Sequence, residues 1–416
     1  MERNAEHLIL AEPDQDPWSL LAPERRSKAL AICSFLLGEG RLTTDINARL
    51  NELCERLVDA GLPLERYASI VRILHSTDVA IVRFWEAGAG ASHVTIPYKS
   101  ARDDAYLTSP PAFAHQQAAW IAFDPHKISP ERFGIVADLR QSGFRHYVCA
   151  PVRLANAMED AFSFATRAPD GFSAEDITLL RAIFPALCAY QEIILLKRML
   201  KEVTRMYVGE EPHKRILSGD VHRGEVTRIE SAIVMADMRA FTSLTADMSA
   251  EQTTALLNDY FDCIVPPIEA AGGEVLKFMG DGVLAIVRSE RGAPAACKRA
   301  LAAAQDGLRA VAARNETASP RFDVGIALHY GNVAYGNIGS GMRLDYTVIG
   351  RDVNLASRIA GLCGTLNRKL LVSDSFRALV GDCTFQTAGE FPLKGFQGAT
   401  RVFEPDEGDQ STIDID

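Results

Sequence analysis

At 416 residues the chain exceeds the length at which one hydrophobic core stops growing, and its 47% apolar and 24% charged side chains are those of ordinary folded protein, so two domains or a domain pair with a connector are expected. The net charge of -10 argues against a general nucleic-acid binder, which needs a basic face for phosphates, but leaves room for a locally bound nucleotide. Eight scattered cysteines without a Cys-x-x-Cys pair argue against a disulfide framework or zinc site; with no basic head before a long apolar run and no stretch of roughly 20 uninterrupted apolar residues, the expectation is a cytoplasmic protein without signal peptide or membrane span.

Residues 1–44 open irregularly, with Pro13, Pro17 and Pro23, and then predict a helix over 24–37 stopped by Gly38 and Gly40. A second helix, 44–60, carries Ile46, Leu50, Leu53, Leu57 and Val58 at helical spacing. Strand-like runs follow at 79–85, 93–98, 118–123, 147–152 and 158–166. In Asp170-Gly-Phe-Ser-Ala-Glu-Asp176, Ser173 is a good helix cap and Asp176 stands three residues on, as in a capping box. The helix that starts there keeps an apolar stripe through Ile177, Leu180, Ile183, Leu187, Ile194, Met199 and Val203. That is longer than one domain needs and points to a parallel dimer helix carrying a signal forward. This order of helix, strand meander, Gly-Phe-Ser-x-Glu-Asp turn and exit helix resembles a GAF-type sensory domain over 45–195, followed by a helical linker over 196–230. The resemblance implies an unknown small-molecule or protein regulator. His93, His115, His126 and His146 form no pair at ligand spacing and read as ordinary surface or core histidines.

From residue 231 strands and helices alternate. A strand over 231–237 ends at Asp237 and leads through a loop into a helix over 250–271, which Pro266-Pro267 is expected to end or bend. Two apolar runs, 274–278 and 283–287, flank Gly280-Asp281-Gly282, a hairpin turn signal. An alanine-rich helix (293–314), a strand (322–329), a glycine-rich connection with Gly331, Gly336, Gly339 and Gly341, a strand (346–349) and a helix (353–362) follow. The last elements are a strand (370–372), a short helix (375–380) and β-structure near Phe385, Phe391 and Phe403. The pattern predicts an α+β sandwich over 231–405, a sheet with helices on one face, then an acidic tail over 406–416.

Asp237 ends a buried strand and Asp281 sits at a hairpin tip, so a sheet placing those strands side by side brings both carboxylates to one edge. Two carboxylates that close raise one another's pKa unless cations bridge them, and magnesium takes one or two carboxylates plus phosphate oxygens. The bland alternative for Asp281 is a simple turn former. Backbone amides of Arg239 to Thr242 stand just before a helix, where phosphates are accepted. Asn354 and Arg358, at i and i+4, project from one helix face.

Together Asp237-Met-Arg-Ala-Phe-Thr242, Lys277-Phe-Met-Gly-Asp281 and Asp345-Tyr-Thr-Val-Ile-Gly-Arg-Asp-Val-Asn-Leu-Ala-Ser-Arg358 resemble a class III adenylyl cyclase over about 215–405. The resemblance implies a ferredoxin-like α+β catalytic domain. In it Asp237, the Met238 carbonyl and Asp281 are ligands of two Mg2+ or Mn2+ ions, and Phe241 and Thr242 lie against the substrate. Lys277 and Thr347 match the purine readers, the threonine marking a subclass. Asn354 matches the residue that orients the ribose, Arg358 the one that stabilises charge on the α-phosphate, and Lys394, in Pro392-Leu-Lys-Gly395, a lysine holding the terminal phosphates. It also implies a head-to-tail homodimer, with the aspartates from one chain and Lys277, Thr347, Asn354, Arg358 and Lys394 from the other. Ala240 departs from the family's usual glycine. Lys277 can only donate, which suits adenine N1, and the Thr347 hydroxyl can accept from N6. The expected activity is conversion of ATP to cyclic AMP and pyrophosphate. Alternatives are a guanylyl cyclase, and a non-catalytic ATP-binding sensor, whose mark would be a missing aspartate or arginine. A dinucleotide-forming enzyme would carry Gly-Gly-Asp-Glu-Phe, to which the nearest run is Gly272-Gly-Glu-Val275.

Overall fold

The computed structural model describes residues 8–74, 77–98, 106–155, 159–220, 222, 224, 226–340, 343–381 and 383–406, so all but the first residue of the predicted acidic tail lies outside the described residues. The chain divides into two compact units, 1–203 and 204–416.

In the first unit, helices α1 (Pro17–Leu20), α2 (Pro23–Leu37) and α3 (Ile46–Asp59) precede a six-stranded sheet. Its strands are β1 (Arg66–Arg72), β2 (Asp78–Glu86), β3 (Gly90–Pro97), β4 (Ile121–Phe123), β5 (His146–Arg153) and β6 (Glu159–Thr166), in the order β3-β2-β1-β6-β5-β4 with antiparallel neighbours. Helices α4 (Pro110–Gln117) and α5 (Val136–Gln141) lie between strands in the chain. The strand expected from residue 118 starts only at Ile121, because Pro110 and Pro111 in the first turn and a Ser109 cap bonded to the Ala112 amide (3.3 Å) make 110–117 a helix. β1 was also absent from the sequence reading.

Helix α6 (Ala174–Val208) begins at the predicted box: the Ser173 amide donates to Asp176 Oδ2 (2.8 Å) and the Asp176 amide to Ser173 Oγ (3.2 Å). Leu179, Leu180, Ile183, Leu187 and Leu195 bury its stripe in a core shared with α2, α3 and the sheet. Among the described residues it is the one helix long and apolar enough, by length and composition, to cross a membrane. Leu196, Leu200, Met206 and Tyr207 in its C-terminal half are exposed.

The second unit contains α7 (Glu210–Ser218), β7 (Val226–Met238), α8 (Phe241–Leu244), α9 (Ala250–Ala270), β8 (Glu274–Met279), β9 (Gly282–Arg288) and α10 (Ala293–Thr317). These are followed by β10 (Val324–Ser340), β11 (Arg343–Ile349), α11 (Arg351–Thr365), β12 (Leu370–Ser373), α12 (Asp374–Val380), β13 (Phe385–Pro392) and β14 (Ala399–Pro405). The strand order is β13-β14-β12-β10-β7-β9-β8, with β11 paired to β10. Within it β7-α9-β8-β9-α10-β10 forms a ferredoxin-like split βαβ core, each strand antiparallel to its neighbour.

Two expectations are corrected here. Helices cover both faces of the sheet: Ala232, Val234 and Ala236 of β7 pack into the core with α9 and α10, whereas Ile233 and Met235 pack under α11. Central strand β7 is apolar on both sides, so a helix on each is required. The glycine-rich connection is strand, since β10 pairs with β7 through Gly331↔Ser231 and Gly336↔Val226. Gly331 permits close approach and makes no turn, for a Cβ there would meet the Asp352 carboxylate at 2.3 Å. α9 closes at Ala270, within one residue of the predicted bound, and Pro266-Pro267 stand inside it rather than ending it.

Candidate functional site

β7 carries Asp237 to the end of the sheet, opposite Gly282 of β9 and Gly325 of β10. Met279 pairs with Gly282, which leaves Gly280 and Asp281 as a two-residue turn, with Gly280 in the left-handed region at φ 67°. The Met238 amide donates to the Asp281 carbonyl at 3.4 Å, fixing the turn against the end of β7. Shielding by the surrounding protein and then the Asp281 carboxylate push Asp237 up to about 6. Because Asp237 is exposed as a residue, the neighbouring charge weighs more than the shielding. Beneath the pair lies Tyr260, fully buried, its hydroxyl without a hydrogen-bond partner among the described residues, and its pKa raised by burial and then by Asp237 and Asp281. No lysine or arginine forms an ion pair with either aspartate among the described residues. Two carboxylates held together, with no basic partner among the described residues, fit an oxygen-only donor set for a hard divalent cation.

On β8, Lys277 Nζ donates to Asp345 Oδ2 of β11 at 2.8 Å. Asp345 precedes Thr347 by two residues on β11; Thr347 stands opposite Gly336 in register, and its side chain lies outside the described residues. Lys277 thus meets the strand that carries Thr347. The role of Asp345 was not read from the sequence, although it stands two residues before Thr347. In α11, Val353, Ala356, Ile359, Ala360 and Cys363 are buried, which turns Asn354 and Arg358 outward together, both exposed. Lys394 is exposed in the loop between β13 and β14, while Phe241 is half-buried and Thr242 exposed on α8. Among the described residues no hydrogen bond or ion pair joins Asn354, Arg358 or Lys394 to the aspartate pair.

Residues 226–404 match the adenylate and guanylate cyclase catalytic domain family. The C-terminal unit is a class III cyclase catalytic domain. Adenylate cyclase 1 of Rhizobium meliloti (strain 1021) is 31% identical over 206 residues, covering 48% of this chain and 31% of that protein. The adenylate cyclase of Anabaena cylindrica is 32% identical over 161 residues, 38% of this chain and 32% of that protein. Among solved structures, the adenylyl cyclase CyaB from P. aeruginosa is 26% identical at a TM-score of 0.41, covering 45% of this chain and 98% of that one. The chain spans about a third of the length of the curated relatives it matches.

The loop after β7 in the cyclase domain holds one strained residue. Ala240 adopts φ 53° and ψ 28°, a left-handed conformation that costs a residue with a Cβ roughly 1–2 kcal/mol. Gly would relieve that strain and lose about 0.4–1 kcal/mol through a more flexible unfolded chain. Ala240→Gly is therefore expected to stabilise the protein by about 0.5 kcal/mol in denaturant titration. A loss of similar size would show that the strain is not felt.

Proposed function

We propose that this protein is an adenylate cyclase, forming 3',5'-cyclic AMP and pyrophosphate from ATP at sites shared between two copies of the chain, and working in the cytoplasm under control of its N-terminal unit. The observation that carries this reading is the approach of Asp237 to Asp281 at the sheet edge. Asp237, Asp281 and the Met238 carbonyl would hold two Mg2+ or Mn2+ ions, which would supply Lewis-acid activation of the ribose 3'-hydroxyl and charge neutralisation on the phosphates. The amide of Arg239 is taken by the Asp323 carbonyl at 2.8 Å, so the amides of Ala240 to Thr242, with Phe241 and Thr242, cradle the phosphate chain, and Lys394 of the second chain holds its end. Asn354 orients the ribose, and Arg358 stabilises the charge that develops at the α-phosphate, where phosphoryl transfer depends chiefly on positioning and positive charge.

Lys277 donates to adenine N1 and Thr347 accepts from N6, placing the chain in the threonine-type subclass. Asp345 keeps Lys277 aimed: it accepts one Nζ hydrogen at 2.8 Å and leaves the others for the base. Asp345→Asn is expected to lower kcat/KM for ATP about tenfold, the worth of one charged hydrogen bond, and to change GTP use less. An unchanged ATP:GTP ratio would remove both residues from base reading. GTP as a secondary substrate is favoured by the same Asp345, a carboxylate that can accept from guanine once Lys277 swings away.

The six-stranded sheet with flanking helices and the long exit helix support a GAF-like regulatory role for 45–195, answering to a small molecule or protein through the linker over 196–230. Next to that linker, Arg288 bridges Glu211 of α7 (3.2 Å) and Glu274 of β8 (3.0 Å), a path to the strand bearing Lys277. Incubating the purified protein with ATP or GTP and manganese, then separating products by chromatography, tests the reading. Cyclic AMP is expected; dominant cyclic GMP would favour the guanylyl cyclase, and no cyclic product the ATP-binding sensor.

A further inference from the structure

We infer that Arg239 is a positioning residue that ties the aspartate edge to the C-terminal end of α11, and thereby couples the two active sites of the dimer through each subunit. The inference rests on the two-chain site proposed above. Arg239 follows Met238 directly, and its amide donates to the Asp323 carbonyl at 2.8 Å, which anchors its backbone. Its side chain leaves the loop and grips the far end of α11. Nη1 donates to Asn367 Oδ1 at 3.0 Å, and Nη2 donates to the Cys363 carbonyl at 3.0 Å and to the Arg368 carbonyl. The Cys363 carbonyl, at the negative pole of the helix, also accepts from the Arg368 amide at 2.9 Å, so the guanidinium adds a second, charged donor there and complements the dipole.

A second contact binds the same two places. Gly325, the ladder partner of Asp237, lies so close under α11 that a Cβ on it would meet Cys363 Cβ at 2.7 Å. The last turn of α11 thus rests on the strand position facing Asp237 and is held by the side chain two residues after it. At about 1.5 Å per residue, Arg358 lies about 7.5 Å and Asn354 about 13.5 Å along the helix from that grip. The helix is packed along its buried stripe, so a displacement at Cys363 is carried to both. In a two-chain site, Asp237 of one chain serves one active site while its Asn354 and Arg358 serve the other. Arg239 therefore links machinery of different sites.

The ordinary alternative is that Arg239 caps α11 and does nothing more. To separate the two, full-length chains with different tags are co-expressed, one carrying Asp281→Ala and the other Asn354→Ala, and the heterodimer is purified. It has one live site, with carboxylates from the Asn354→Ala chain and Asn354 and Arg358 from the Asp281→Ala chain. Arg239→Ala is then added to the Asp281→Ala chain, whose own aspartate edge is already dead. The expected result is a fall of about 10- to 100-fold in kcat at the live site, as for outer residues that orient catalytic groups. KM for ATP should move less than about threefold, because Asn354 and Arg358 act mainly in the transition state. Arg239→Lys should recover most of the rate by restoring a cation at the helix end. Gly325→Ala in the same chain, which displaces α11 from beneath, should reproduce the loss, and together with Arg239→Lys carries the test if Arg239→Ala does not assemble. An unchanged kcat in heterodimers of normal thermal stability overturns the inference while the two-chain site stands. A heterodimer inactive before any change at Arg239 removes the two-chain site and the inference with it.

Discussion

Asp281→Asn is expected to abolish turnover, by about 1,000-fold or more for loss of a main electrostatic element, and at the same time to make the metal-free protein more stable at neutral pH. The two effects have one cause. Asp237 has its folded pKa raised to about 6 from an ordinary 3.8, so the folded state holds the proton more tightly than the unfolded chain. Stability from this group is therefore fully present below its unfolded pKa and is lost as pH rises through about 6. Above that pH the two carboxylates repel, by about 1 kcal/mol for a pair screened by water, Asp237 being exposed and Asp281 half-buried. Asparagine at 281 removes the repulsion, and the melting temperature of the metal-free protein should rise by about 2–4 °C at neutral pH, with little change near pH 4. Manganese reverses the ranking, because a cation bound only by the folded wild type stabilises it by mass action. Melting curves from pH 4 to 8, with EDTA and then with manganese, check this. Substantial activity in the variant, or a manganese-induced shift equal to that of wild type, would sink the metal-binding assignment.

Chains carrying Asp281→Ala and Asn354→Ala, each inactive alone, are expected to recover about a quarter of wild-type activity when mixed. Random exchange makes half of the dimers mixed, and each mixed dimer has one of its two sites intact. The expectation comes from where the groups lie. Asp237 and Asp281 occupy the end of the sheet, whereas Asn354 and Arg358 face solvent from a helix and make no bond to them among the described residues. Phe278 and Met279, beside the Asp281 turn, are 51% and 44% exposed, and Ile338 and Leu344 of β10 and β11 are each 40% exposed. A second chain docked over these exposed apolar side chains would remove them from water. Mixing is followed by cyclic AMP formation against concentration. No recovery at micromolar protein would mean that the two groups do not meet between chains.

Much of this site was legible because its signals are local. A hairpin turn, a strand end, an i,i+4 pair on a helix and the Ser173/Asp176 box are each written within a few consecutive residues, and the folded protein keeps all four. The glycines of β10 were misread for the opposite reason. Gly331 looks like a turn residue in isolation, and only the Asp352 carboxylate, 21 positions away, shows that it exists to leave room.

The sequence by itself singled out the two carboxylates, Lys277 and the helix face bearing Asn354 and Arg358, because residue type, short spacing and the resemblance of three motifs point to them. Only the tertiary structure decided that α11 covers the sheet face opposite α9 and α10, that Asp345 holds Lys277, that Tyr260 lies beneath the aspartates and that Arg239 reaches the end of α11. Those contacts join residues tens to more than a hundred positions apart, and their existence depends on the strand order β10-β7-β9-β8, which no local pattern encodes.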